Sequence, residues 1–174
     1  MINIFFVFYL LIFIFAFIGS MRGWAKEILV TTSIILALAL IAVMENLVPF
    51  VGEILRKSPP QTQFWVRTIL VGVLVFFGYQ SPNLPTFAGK TKNDRIQDSL
   101  LGFFLGAING YIIVGTFWYY LHVANYPFNG VFMVDPKDIN ILKLISATAP
   151  QLLTGPTIYI SVVLAFIFVI IVFL

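Results

Sequence analysis

An all-α integral membrane protein with several spans is predicted by three features of the chain. Sixty per cent of its 174 residues are hydrophobic and only 10% are Asp, Glu, Lys or Arg, where soluble domains carry about 25% charged residues. So few polar side chains cannot cover a water-soluble globule of this size. The apolar residues are gathered into long uncharged runs, and the longest stretch between runs, residues 124–156, is too short for a soluble domain. The expected organisation is five transmembrane helices and one short interfacial helix. A four-helix membrane core covers residues 1–123, an extramembrane connector with an amphipathic helix at 136–149 covers 124–156, and a C-terminal transmembrane helix covers 157–174.

Each span follows from length, since a membrane helix needs roughly 20 apolar residues. Residues 2–19 form the first run, broken only by Asn3. No Lys or Arg precedes it and no A-x-A site follows, which argues for a retained helix over a cleaved leader. The polar turn Ser20-Met21-Arg22-Gly23 leads into the second span, residues 24–44, with Lys26 and Glu27 in its first turn. Residues 45–63, with Pro49, Pro59 and Pro60, read as a connector. The third span, 64–79, is short and carries Arg67 where a long side chain can snorkel to the interface. Residues 80–98 are the most polar stretch, and Asn93 or Asp94 can cap a helix running into the fourth span, 100–123. Asp135-Pro136-Lys137-Asp138 has the pattern of a helix start, and Ile139, Leu142, Ile145 and Ala149 then share a face. The helix so predicted either lies in the membrane plane or packs on the chain's own loops, and Pro150 ends it.

Composition narrows the chemistry. With no cysteine, disulfides, thiolate nucleophiles, zinc-thiolate sites and iron–sulfur clusters are excluded, and a single histidine excludes any two-imidazole site. The span centres hold no Asp, Glu, Lys or Arg, unlike ion-coupled transporters. Phosphate-cradling and dinucleotide fingerprints are lacking, and no Ser/His protease pair can be drawn. No enzyme, metal site or catalytic residue is expected. The net charge of +3 reads as orientation and contact with anionic lipid, not nucleic-acid binding. Basic residues divide evenly between the two faces, Arg22, Lys26, Lys90, Lys92 and Arg95 against Arg56, Lys57, Arg67, Lys137 and Lys143. The first turn is short and basic while the residues before span one are not, which places the amino terminus outside and the carboxyl terminus in the cytoplasm.

Four groups of residues stand out. Gly102, Gly106 and Gly110 recur every four residues, a stripe along which another helix backbone can approach closely. The expected partner is span two, where Ser33 and Ala37 form a small-xxx-small pair. Arg22, Lys26, Glu27, Asp94, Arg95 and Asp98 lie on one membrane face as a candidate polar contact cluster, with Glu27 expected to pair with Arg95. Asn109 is an intramembrane amide that should bond across to another helix. His122 ends the run Phe117-Trp118-Tyr119-Tyr120, which suits an interfacial aromatic belt; axial ligation of a pigment is the alternative. No cofactor is expected. Bound lipid is, and nothing in the residues supports a pigment or quinone contact beyond the lone histidine.

Two of these stretches resemble a known family. Gly19-Ser20-Met21-Arg22-Gly23-Trp24-Ala25-Lys26-Glu27 is similar to the Gly-x-x-Arg-Gly-x-x-x-Glu signature of the CvpA (colicin V production protein) family. Asp98-Ser99-Leu100-Leu101-Gly102, followed by Gly106 and Gly110, resembles that family's start of helix four. Ser99 and Asn109 depart from it, standing where the family often has Arg, and the fifth span lies beyond the usual four-helix core. The resemblance covers about residues 1–123. It implies a bacterial inner-membrane location and a non-enzymatic accessory or scaffold role in envelope or export processes, with membrane lipid and other membrane subunits or self as partners. Two other readings stand beside it: an accessory subunit of a photosynthetic or respiratory complex, and a small channel or transporter lined by Asn109 and Ser33.

Overall fold

The computed structural model describes residues 4–80, 92–128 and 138–173, and among them it is helical without strands. The long helices are α1 (Ile4–Arg22), α2 (Trp24–Asn46), α4 (Pro60–Tyr79) and α5 (Lys92–Val123), each long and apolar enough to cross a membrane. Between α2 and α4 lies α3 (Pro49–Lys57). After α5 come α6 (Ile139–Ser146), α7 (Ala149–Leu152) and α8 (Pro156–Phe173), the last a shorter apolar helix. The chain is an all-α polytopic membrane protein.

Local sequence sets the breaks. Gly23 takes φ +84°, which a residue with a Cβ adopts only under strain, and turns α1 into α2 in one residue. Pro49 and Pro60 both occupy the first turn of a helix, where the missing amide costs nothing. The stretch expected as a connector is therefore largely helical. α2 runs on to Asn46, α3 follows, and α4 starts four residues before the expected Phe64.

The carboxyl-terminal connector also differs from expectation. The predicted start at Asp135 and Pro136 lies outside the described residues. Asp138 is the cap, its side chain accepting from the Asn140 amide at 2.8 Å, and α6 ends at Ser146. Pro150 does not terminate this helix; it sits in the first turn of α7. The buried face of α6 is Ile141 and Ile145, while Ile139 and Leu142 are exposed. The helix packs on α5 and α7, and the Tyr111 hydroxyl donates to the Ala147 carbonyl at 3.0 Å.

Packing has two main seams. α2 lies among α4, α5 and α8, and α1 packs almost wholly on α5. The glycine stripe of α5 faces α1, not α2. A Cβ at Gly106 would stand 2.5 Å from the Phe15 carbonyl oxygen and 2.9 Å from Gly19 Cα. At Gly110 it would stand 2.7 Å from Phe15 Cβ, and at Gly102 it would overlap the Gly19 carbonyl. On α1 the small residues Ala16 and Gly19 lie against Gly106, while Gly110 leaves room for the Phe15 side chain. Ser33 instead faces α4, where a Cβ on Gly78 would lie 2.6 Å from its Oγ, and Ala37 is fully buried. Away from the glycines the α1–α5 seam continues as an edge-to-face aromatic cluster, with Trp118 at 5.4 Å from Phe5 and 5.2 Å from Phe8 between ring centres. Within this run Trp118 and Tyr120 are buried in the bundle, and Phe117 and Tyr119 are half-buried.

The seam yields a contrast to measure. Gly106→Leu puts a side chain into backbone and should cost stability at the upper end of the roughly 1–3 kcal/mol typical of overpacking. Gly72→Ala in α4, where nothing lies within 4 Å of the new methyl, should be neutral or stabilising by about 0.5–1 kcal/mol. Thermal unfolding of both variants in detergent, monitored by circular dichroism, checks the pair; equal midpoints would show that the glycine seam does not set stability.

Candidate functional site

The polar residues of the Arg22 end form a closed cluster between α1, α2, α4 and α5. Glu27 lies in the first turn of α2 and is fully buried. Its Oε1 receives Arg22 Nη1 at 2.7 Å, and its Oε2 receives Asn109 Nδ2 at 2.9 Å. The same Asn109 amide nitrogen donates to the Glu27 carbonyl at 2.9 Å. Thr31, one turn further along α2, places its hydroxyl 2.7 Å from Asn109 Oδ1 and 3.1 Å from the Glu27 carbonyl, so its single proton serves one of the two at a time. Arg22 Nη2 reaches the Tyr79 carbonyl at 3.0 Å, and the guanidinium lies 4.4 Å from the centre of the Tyr79 ring. A carboxylate out of water is tolerable only when paired and hydrogen-bonded; both Glu27 oxygens are.

Asp98 serves the adjacent turn. Gly23 has no side chain to cap α2, and Asp98 of α5 accepts from the Trp24 amide at 3.3 Å in its place. The acid also sits at the positive end of the α2 dipole. A side chain on Gly23 would stand 2.7 Å from the Asp98 carboxylate. Ser99 donates to the Ser20 carbonyl at 2.8 Å. Of the six expected cluster residues, Arg22 and Glu27 pair directly, and Asp98 meets the same turn at the Trp24 amide. Lys26 is half-buried on the first turn of α2, and Asp94 and Arg95 are exposed at the start of α5. Glu27 pairs with Arg22, not with Arg95 as expected.

His122 is half-buried near the end of α5. Its Nδ1 is 3.3 Å from the Tyr126 hydroxyl, which also receives Trp118 Nε1 at 3.0 Å. Burial pushes the Tyr126 phenol above its ordinary pKa, with the Trp118 bond opposing, so at neutral pH it keeps its proton. Among the described residues no group of three His, Asp or Glu stands together as a metal site.

A second polar site escaped the sequence reading. Arg67 is buried rather than snorkelling, and its Nε and Nη2 grip Glu45 at 2.7 and 3.3 Å. The guanidinium is 5.6 Å from the centre of the Tyr120 ring. The signal available was a base inside an apolar run, which calls for an acid on a neighbouring helix; Glu45 was the nearest at the end of the preceding span.

The cluster predicts an asymmetry. Arg22→Met strands the fully buried Glu27 and should cost about 3–5 kcal/mol, and Arg22→Met with Glu27→Gln should recover much of that loss. Exchanging the charges of Glu27 and Arg95 should recover nothing. Unfolding midpoints of the single and double variants check both statements; full recovery from the Glu27–Arg95 exchange would contradict the pairing described.

The model of the family described as colicin V production protein matches residues 5–136, which spans both the Gly19–Glu27 turn and the glycine stripe. No curated protein and no solved structure matches the chain. The match covers well over half of the sequence and contains every element of the buried cluster, and the chain belongs to the colicin V production protein family.

Proposed function

We propose that this bacterial membrane protein is a non-enzymatic scaffold of the inner membrane, an accessory component in envelope or export processes. The observation that carries the reading is the closed state of the Arg22–Glu27–Asn109–Thr31 cluster. Its charges and amides are spent within the bundle, across four helices, so the cluster fixes geometry in place of offering a group to a substrate. Asn109, the one amide that a channel reading needs to face water, is fully buried. The flanks are the complement of this: Phe6, Tyr9, Phe13 and Phe17 line the outer face of α1, all well exposed. Such a face suits lipid or the helices of other membrane subunits, or of a second copy. The amino terminus outside and the carboxyl terminus in the cytoplasm remain part of this proposal.

The test is purification from the native membrane in mild detergent, followed by a native mass spectrum, an absorption spectrum and ion or solute flux in liposomes. A self-oligomer or a complex of fixed stoichiometry, with no flux above empty liposomes, is expected. Flux that Asn109→Leu alters would replace the scaffold with a channel. A visible or near-infrared band lost in His122→Ala would make the protein a pigment-bearing subunit.

A further inference from the structure

α3 joins two spans, starting at Pro49 just after α2 and giving way to α4 at Pro60. It therefore lies at the membrane face opposite the Arg22 cluster. At about 100° per residue its side chains divide into three sectors. Gly52 and Leu55 are buried and form the inner one. A Cβ on Gly52 would overlap the Glu45 carbonyl, so α3 rests directly on the last turn of α2. Val51 and Leu55 meet Met44, Val66 and Leu70 around a gap of about 30 Å³, so the underside of the helix is packed. Phe50 and Ile54 form the second sector and are 73% and 51% exposed; Leu47, on the same side just before the helix, is exposed too. Glu53, Arg56 and Lys57 form the third, and all are exposed.

The apolar and charged sectors thus lie side by side on the outward half of a helix whose inner side is fixed. In water the first would be bared, and in hydrocarbon the second would be stripped of water. A helix lying in the plane of the membrane surface satisfies both. The charges are not all spent. Glu53 is taken by Lys57, whose Nζ lies 2.5 Å from its Oε1. Arg56 makes no ion pair among the described residues. Nor is its guanidinium needed at the carbonyl end of α3, where Gln63 Nε2 donates to the Ser58 carbonyl at 2.9 Å.

We propose that α3 docks an anionic phospholipid, with the acyl chains against Phe50 and Ile54 and the phosphate at Arg56. Two bases against one acid leave the charged sector with a surplus of one positive charge, the complement of a lipid with one negative charge. A zwitterionic lipid also brings an ammonium, and the acid of this sector is already held by Lys57. A glycerol headgroup brings no cation. The docking does not depend on the scaffold role, because it uses only α3 and the membrane around it.

The chain has no cysteine, so Ile54→Cys carries a single bimane label on the apolar sector. The labelled full-length protein is reconstituted in dioleoylphosphatidylcholine vesicles with a fixed minor share of dibrominated lipid, its headgroup either glycerol or choline. Both brominated lipids should quench the label, because its side chain lies among acyl chains. The glycerol lipid should associate about fivefold more strongly at the label, the scale of one basic side chain at an anionic surface. Adding Arg56→Gln should remove this preference and keep the quenching, and Arg56→Lys should keep both. Arg56 is exposed, so neither change should disturb folding; Phe50→Cys repeats the reading if a label at position 54 perturbs the helix. No quenching by either lipid would overturn the proposal, since α3 would then stand in water or against another protein chain. Equal quenching by the two lipids, or a preference unchanged by Arg56→Gln, would overturn it as well.

Discussion

Where Gly19 lies on Gly102 and Gly106, two helix backbones meet with no side chain between them. In lipid, apolar surface gains little by leaving one hydrocarbon for another, so helix contact must be won by close dispersion and by hydrogen bonds. The glycines supply the first. They also fix register, because one face of α5 can meet α1 this closely only at its glycine positions. That register carries Asp98 to the amide of Trp24, Ser99 to the carbonyl of Ser20, and Asn109 to Glu27. The polar cluster is thus downstream of a seam that contains no polar side chain.

The cluster in turn holds α2 and α4 to the α1–α5 pair. Arg22 leaves the end of α1, pairs with the start of α2 and caps the end of α4 through the Tyr79 carbonyl. A cation at a helix C-terminus and an anion at a helix N-terminus both oppose the exposed ends of the backbone dipole. Each charge therefore does two things at once, neutralising its partner and completing a helix end. This arrangement explains why the short turn at Gly23 tolerates a fully buried carboxylate one turn away.

Much of this could be read in advance, and the rest could not for definite reasons. Hydrophobic runs mark spans because a helix must satisfy its own backbone in lipid, and α1, α2, α4 and α5 were visible in that way. The glycine stripe was visible as a close-approach face, but periodicity names a face and not its partner; the expected partner, Ser33 in α2, packs on Gly78 instead. Charge counting put Glu27 and Arg95 on one side of the membrane. Only tertiary register showed that Arg22 was nearer. Arg67 looked like a free snorkelling side chain because an apolar run does not show which acid lies beside it; in the fold Glu45 of α2 holds it. The aromatic run of α5 could be read as a belt but not as a packing partner, and the contacts of Trp118 with Phe5 and Phe8 appear only in the fold.

Glu27 and Glu45 lie near opposite ends of α2, eighteen residues apart, each clasped by an arginine from a different helix. At about 1.5 Å per residue that is about 27 Å, close to the roughly 30 Å of a bilayer's hydrocarbon. Two charged clasps at that separation act as a ruler. They mark both edges of the slab on one of the two most enclosed helices of the bundle, and neither can slide inward without carrying an ion pair into oil. The bundle is therefore matched to one membrane thickness. A thicker bilayer must thin around it, since α2 cannot lengthen and tilting would draw the clasps deeper, so the lipids next to this protein differ in length from those far away.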